Sequence, residues 1–267
     1  MVDLNAYREG AVQVLEIDRP NAINALNGAL IGDLRDRVLG AERDPAVRTV
    51  VITGAGTRAF SAGADLDELD GLGRDDARAV MRAGQRAFRD IETSAIPVIA
   101  AVNGLALGGG FELILSCTFA VTSEKASLGL PESRLGLIPG YGGTQRLAPL
   151  IGSASAAYLM LTGERLSAQR AYELGLTPLA PLPAEELMSR TMEIAQAVAG
   201  GGPAAVRSIL GLLDRAADAD RGELLTAETD AAVAAIVGSE STEGIRAFRE
   251  RRTPVFADCA PTDGAPR

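Results

Sequence analysis

The chain has no histidine and no tryptophan among its 267 residues. Without histidine, Ser-His-Asp and Cys-His catalytic sets, His-bound zinc and the commonest general base are all excluded. Any proton chemistry must fall to carboxylates, tyrosine or water. Cys117 and Cys259 are the only cysteines, too few for a disulfide framework or a four-cysteine metal site. Cys117, inside the apolar stretch FELILSCTFA, reads as a core residue. Lys125 is the only lysine among 26 basic residues, which argues against Schiff-base chemistry. The net charge is −9 and no basic run occurs, so nucleic acid is a poor partner. No apolar run approaches the roughly 20 residues of a membrane span. The opening MVDLNAYREG carries acidic residues and lacks an apolar h-region, so no secretory signal is read and the cytoplasm is the expected location.

Hydrophobic residues make up 47% of the chain, enough to build a large core. Short apolar runs alternate with helical patterns through the first two thirds. Ala11–Ile17 alternates like a strand, while Leu26, Leu30, Leu34 and Val38 mark one face of a helix over 23–42. Val47–Thr53 and Ile96–Val102 are continuous apolar runs of the kind buried strands show. Asp75–Thr93 reads as an amphipathic helix, and Phe119–Thr122 and Ala126–Leu130 as short strands. Beyond residue 143 strand signals stop. Helices are expected near 153–161, 167–174, 184–199, 203–217, 221–237 and 241–250, with Ser153 and Ser167 as N-caps and Gly163, Gly175 and Gly200 as stops. The expected class is α/β: a core over 1–200, a helical region over 201–257, and a flexible tail over 258–267. Ala199–Pro203 (AGGGP) is a hinge candidate between the first two.

Three glycine-rich segments are candidates for function. Gly54-Ala-Gly-Thr-Arg-Ala59 fits the loose dinucleotide pattern G-x-G-x-x-A, but Gly63 breaks the helix that such a loop must open into. Asn103-Gly-Leu-Ala-Leu-Gly-Gly-Gly-Phe-Glu112 follows a strand and precedes a helix. Its three glycines mark either a tight turn or a place where a ligand approaches unsatisfied helix N–H groups. Gly140-Tyr-Gly-Gly-Thr-Gln-Arg146 also precedes a helix, with Thr144 a possible N-cap. Glu112 lies three residues past Gly109, on nearly the same helix face. It either complements the helix dipole or reaches back as an acid–base group. Glu132, among Leu128, Leu130, Leu135 and Leu137, is either a surface turn residue or a working carboxyl.

Taken together, Arg19-Pro-Asn-Ala-Ile-Asn-Ala-Leu26, Ala59-Phe-Ser-Ala-Gly-Ala-Asp65, Ala100–Glu112, Pro131-Glu132 and Ile138-Pro-Gly-Tyr-Gly-Gly-Thr-Gln-Arg-Leu147 resemble successive signatures of the crotonase (enoyl-CoA hydratase/isomerase) family. Glu243–Arg252 resembles its last helix, and the resemblance covers about residues 10 to 256. It implies a crotonase-like fold of repeated ββα units followed by C-terminal helices that assemble a homotrimer or a dimer of trimers. It implies an acyl-CoA thioester substrate, with coenzyme A part of that substrate and neither metal nor separate cofactor.

By that resemblance the backbone N–H groups of Ala64 and Gly109 hold the thioester oxygen. Glu112 helps activate water, Glu132 exchanges a proton with the substrate α-carbon, and Gly140 lines the water site. Ala22, Ala62, Gly63, Asp65, Leu66 and Gly108 are the further substrate- or CoA-contacting positions. Two facing carboxyls in a dry cleft cannot both ionise cheaply, so one is expected to titrate high. Having both glutamates favours hydration over double-bond isomerisation on the same scaffold, and over a non-catalytic acyl-CoA-binding subunit. Asn21, Asp67 and Glu68 stand where relatives often carry basic residues, which leaves Arg58, or Arg251 of a neighbouring subunit, as candidates for the CoA phosphates. The acyl-pocket segment Leu66–Thr93 matches poorly. Leu187, Met188 and Met192 are expected on apolar faces buried between subunits.

Overall fold

A computed structural model describes residues 3–216 and 220–256. The expected tail over 258–267 therefore lies outside the described residues. Two sheets are built by strands that alternate between them. Strands β1 (Leu4–Glu9), β2 (Val12–Ile17), β3 (Thr49–Gly54), β5 (Val98–Val102) and β7 (Phe119–Thr122) form the larger sheet in the order β1-β2-β3-β5-β7. Short strands β4 (Ala59–Ser61), β6 (Leu105–Leu107), β8 (Ser127–Gly129) and β9 (Leu166–Ser167) form the smaller one in the order β4-β6-β8-β9. Helices α1 (Gly28–Arg43), α2 (Arg74–Glu92) and α3 (Gly109–Leu115) return the chain to the larger sheet. Each turn is thus strand, strand, helix, as the ββα expectation requires.

The larger sheet is parallel except for the β1–β2 hairpin. Its inner strands read as unbroken apolar runs because both faces are covered. On β3, Val50 and Ile52 join the core beneath the helices, while Val51 faces a second cluster with Val12, Val14, Ile99 and Val121. Helix α7 (Leu187–Ala199) closes that second cluster. Leu187 and Met192 are buried there and Met188 packs beside them. This corrects the expectation that these three side chains are held for a subunit interface: the outer sheet face is itself apolar and takes the helix.

Several local expectations also shift. Strand β1 carried no signal because it is an edge strand whose only buried residue is Leu4. Helix α1 starts at Gly28, not residue 23, with the Asn27 side chain accepting from Leu30 N at 2.8 Å. Ahead of it, Ile23 and Asn24 adopt φ of 53° and 58°. The Asn24 amide donates to the carbonyl oxygen of Ala59 at 2.9 Å and accepts from Arg19 N at 3.0 Å, bonds that outcompete a helical turn. Strands β4, β6 and β9 are too short for their periodicity to register. Helix α4 (Gly143–Ile151) is capped by Gly142 and α5 (Ser153–Thr162) by Gly152, so neither Thr144 nor Ser153 is a cap. Ser167 does cap α6 (Ala168–Glu173), accepting from Arg170 N at 3.1 Å. The Gly54–Ala59 segment leads into β4 rather than a helix, which removes the dinucleotide reading. Helices α8 (Pro203–Arg215), α9 (Arg221–Val237) and α10 (Ser239–Glu250) follow the AGGGP bend.

Two glycines on helices make opposite predictions. A Cβ on Gly110 of α3 would meet Ser61 O at 2.5 Å and Ser61 Cβ at 2.7 Å, whereas one on Gly40 of α1 meets nothing within 4 Å. Gly110→Ala is expected to destabilise by about 1–3 kcal/mol through overpacking. Gly40→Ala is expected to stabilise by up to about 1 kcal/mol. Thermal unfolding of the two variants should move Tm in opposite directions, and a neutral Gly110→Ala would contradict the tight α3–β4 contact.

Candidate active site

The site forms where β6 ends and α3 begins. The chain changes from strand to helix at Gly108, whose φ of 48° and ψ of −125° belong to a glycine. Gly110 then lets the helix sit directly on β4 at Ser61. Gly109 is the first helical residue, so its N–H has no partner within the helix. On the facing segment, Leu26 N donates to Gly63 O at 2.7 Å and Asp65 N donates to Leu26 O at 2.9 Å. That bridge engages the groups on both sides of Ala64 and leaves its own N–H over. Neither Ala64 N nor Gly109 N donates to an acceptor among the described residues. They are close: a Cβ on Gly109 would lie 3.3 Å from Ala64 N. Two amides without a protein acceptor thus border one space.

That space is a cavity of about 280 Å³. Ala62, Gly63, Ala64, Leu66, Gly108, Gly109, Glu112, Glu132 and Gly140 all line it. Ala22 and Asp65 do not. Ala22 ends a short 3-10 turn, and Asp65 pairs with Arg19 at 3.0 Å, so its carboxylate holds the loop. Of the positions where basic residues are replaced, Asn21 is exposed and Glu68 accepts from Gly28 N at 2.7 Å, at the start of α1. Arg58 is exposed and outside the cavity lining. The remaining wall is apolar: Leu69, Met81, Leu107, Leu135, Leu137, Ile138 and Tyr141. Met81 arrives on α2 and gave no signal beyond the apolar stripe of that helix. Tyr141 was visible only as an aromatic residue between glycines.

The two glutamates differ in how they are held. Glu112, in the first turn of α3, is 1% exposed. Its Oε1 accepts from Gly143 N at 2.7 Å and Tyr141 N at 2.8 Å, leaving Oε2 without a protein donor among the described residues. Burial pushes its pKa up to about 7, helped by the nearby Glu132 and opposed by the two backbone N–H groups and Arg146. Glu132 lies on the 3-10 turn after β8. Its Oε2 is buried without a partner, and Oε1 would lie 2.9 Å from a Cβ on Gly108. Burial raises its pKa as well, against its own backbone N–H. Tyr141 packs edge-on to Phe88, with centroids 5.3 Å apart, and burial with the charge of Glu112 pushes its phenol up to about 12. The two carboxyls are the other titratable groups lining the cavity. Such an arrangement can stabilise an oxyanion, hold a water and deliver a proton within one apolar pocket.

The sequence profile of the enoyl-CoA hydratase/isomerase family matches residues 7–259. The chain is 39% identical to the crotonyl-CoA hydratase of Syntrophomonas wolfei, over 93% of this chain and 95% of that protein. It is 38% identical to the short-chain-enoyl-CoA hydratase of Clostridium acetobutylicum, over 92% and 94%. Among solved structures, an enoyl-CoA hydratase from Bacillus anthracis superposes with a TM-score of 0.91 at 38% identity, covering 95% of this chain and 98% of that one. DspI of Pseudomonas aeruginosa superposes with a TM-score of 0.92 at 31% identity, covering 96% and 97%. With the ββα core and the paired glutamates beside two free amides, these likenesses have one reading: the chain belongs to the enoyl-CoA hydratase/isomerase family, the crotonases.

Proposed function

We propose that this enzyme is a 2-enoyl-CoA hydratase, adding water across the C2=C3 bond of an acyl-CoA thioester. The observation that carries the reading is the shared cavity: two unpartnered N–H groups, Ala64 and Gly109, together with two carboxyls, Glu112 and Glu132. Attack of water at C3 drives electron density onto the thioester oxygen, which becomes an enolate oxygen. Two fixed amide donors at that oxygen stabilise the charge where it develops, and losing one such donor costs about 3–4 kcal/mol. Glu112, anchored through Oε1, offers Oε2 to the water, takes its proton and leaves the oxygen to bond C3. Glu132, when it and not Glu112 holds the proton, gives that proton to C2 as the enolate collapses. Water has then been added, and proton exchange with solvent returns Glu112 to the ionised form and Glu132 to the acid form. Relatives named for hydration of crotonyl-CoA and short-chain enoyl-CoA support the same reading. A double-bond isomerase needs one proton-carrying carboxyl; the separately held Glu112 favours hydration.

The reading calls for no resident metal or cofactor and places the enzyme in the cytoplasm. Among the described residues no helix is long and apolar enough to cross a membrane. It also makes the protein a homotrimer or a dimer of trimers, with residues 201–257 as the assembly region. Helices α8–α10 leave Leu213, Ile236, Val237 and Phe248 exposed, the last at 84%. Isolated apolar side chains at a surface are ordinary, but a series along three successive helices suits association. Light scattering is expected to give a trimer or hexamer mass, and an active monomer would rule the assembly out.

The carboxyls give a sharper test. Glu132→Gln keeps size and removes the proton donor; Glu112→Gln weakens water activation. Each is expected to lower crotonyl-CoA hydration by about 10²–10⁴-fold while affinity for an acyl-CoA analogue stays within a few-fold. Comparable hydration in either variant would remove that carboxyl from the mechanism.

The raised pKa of Glu112 also has a stability consequence. Its folded value of about 7 lies above the ordinary 4.5, so the protonated form is favoured by folding. That contribution is complete below pH 4.5 and is lost as pH rises through about 7. Above that, the buried charge opposes folding by up to about 3 kcal/mol, at about 1.4 kcal/mol per pKa unit. Glu112→Gln should therefore raise Tm relative to the parent at pH 8.5 and leave it nearly unchanged at pH 4.5. An equal effect at both values would contradict the desolvation of Glu112.

A further inference from the structure

Arg146 lies outside the cavity lining, on α4, with its side chain 12% exposed. An arginine that deep needs a reason, since guanidinium groups are rarely buried without paired acids. Its partners are specific. Nη1 donates to Tyr141 O at 2.7 Å, and Nη2 donates to Glu92 Oε2 at 2.8 Å in the last turn of α2. Glu92 also pairs with Arg89 at 3.2 Å, and Arg89 pairs with Asp214 of α8 at 2.9 Å. The Nε is buried with no partner, so the guanidinium is committed to the loop and to Glu92 and not to solvent. The carbonyl it holds belongs to Tyr141. That residue and Gly143 supply the two N–H groups on Glu112 Oε1. Arg146 therefore grips the loop between the two donors that grip the glutamate.

We propose that Arg146 is a positioning residue for Glu112: its guanidinium, braced by Glu92, fixes the 140–143 loop that orients the carboxyl and places a positive charge behind it. This rests on the reading of Glu112 as the water-activating group. The geometry separates two effects. The hydrogen bond to Tyr141 O keeps the two amides converged on one oxygen, which leaves Oε2 directed to the cavity. The charge favours the ionised form of Glu112 against burial and against Glu132. The groups facing Glu112 are Glu132 from the turn after β8, the Tyr141 phenol from the loop, and Arg146 from α4. Strands β4, β6 and β7, also packed on α3, carry no charged side chain. Arg146 is thus the one cation acting on this acid among the described residues. The ion pairs continue to Asp214 at the surface of the helical region, so the brace for Glu112 ends on α8.

The test uses the full-length enzyme with Arg146→Gln, which keeps a donor and loses the charge, and Arg146→Lys, which keeps the charge on a single point. The Glu112 carboxyl is followed by ¹³C NMR, its signal identified by its disappearance in Glu112→Gln. In Arg146→Gln the midpoint is expected to rise by about half a pH unit, less than the one to three units of a direct ion pair. Arg146→Lys should restore most of the parent midpoint. In hydration assays, kcat of Arg146→Gln should fall at least about twofold at pH 7 and recover towards pH 9, while KM for the CoA ester is unchanged, because the change acts on the ionised fraction of the base. Identical Glu112 midpoints in parent and both variants would overturn the proposal, as would a rate loss of the same size at every pH. If the parent does not hydrate enoyl-CoA yet the midpoint moves as expected, the positioning of Glu112 holds and the hydratase reading fails. If the parent hydrates and the midpoint stays, the reverse is true.

Discussion

The first turn of α3 rests on Ser61 of β4 with no side chain of its own in between, and the site depends on that contact. Gly110 against Ser61 sets how far the helix can enter, and Gly108 sets the angle at which it does so. Were the helix held off by the breadth of one methyl group, Gly109 N and Ala64 N would no longer lie side by side at one cavity. Displacements of that size are known to cost large factors in rate, because fixed donors act over a steep range of distance. The glycines here do not lend flexibility. They remove volume, so that backbone on one segment comes against backbone on another and the resulting geometry is held by the core on both sides.

The apolar lining of the cavity serves two ends and has one cost. An apolar wall of Leu69, Met81, Leu107, Leu137 and Tyr141 strengthens every dipole inside it. The same wall makes it expensive to keep two carboxylates charged together, so their protons are shared out unequally. Burial raises the pKa of both carboxyls, that of Glu112 to about 7. The cost is a buried carboxyl whose ionised form works against the fold, an instance of local stability given up at a functional site.

Much of this could be read from the residues alone, and the limits have physical causes. Strands buried on both faces, such as Thr49–Gly54, and long amphipathic helices, such as Arg74–Glu92, announce themselves through composition and period. Strand β1 does not, because an edge strand turns most of its side chains to water. Strands β4 and β6 are three residues each, shorter than any period can reveal. The start of α1 was misplaced because Asn24 bonds to distant carbonyls, a long-range competition that spacing cannot show. At the site, the glutamates and the Ala64 and Gly109 segments came from motif resemblance and fall together on one cavity. Ala22 and Asp65 came from the same resemblance and do not reach it. Tyr141 and Arg146 stood within a quoted motif with no role attached, since what they do depends on partners from α2 and α3.

The absence of histidine has a consequence beyond the choice of catalyst. In most proteins imidazoles crowd the region between pH 5 and 8 and mask whatever else titrates there. Here no imidazole occupies that window. Desolvation pushes the thiol of the half-buried Cys117 up to about 12, well clear of it. Among the described residues, burial brings Glu112 to about 7 and raises Glu132 in the same direction, so a calorimeter that counts protons released or taken up on ligand binding reads these carboxyls without an imidazole background.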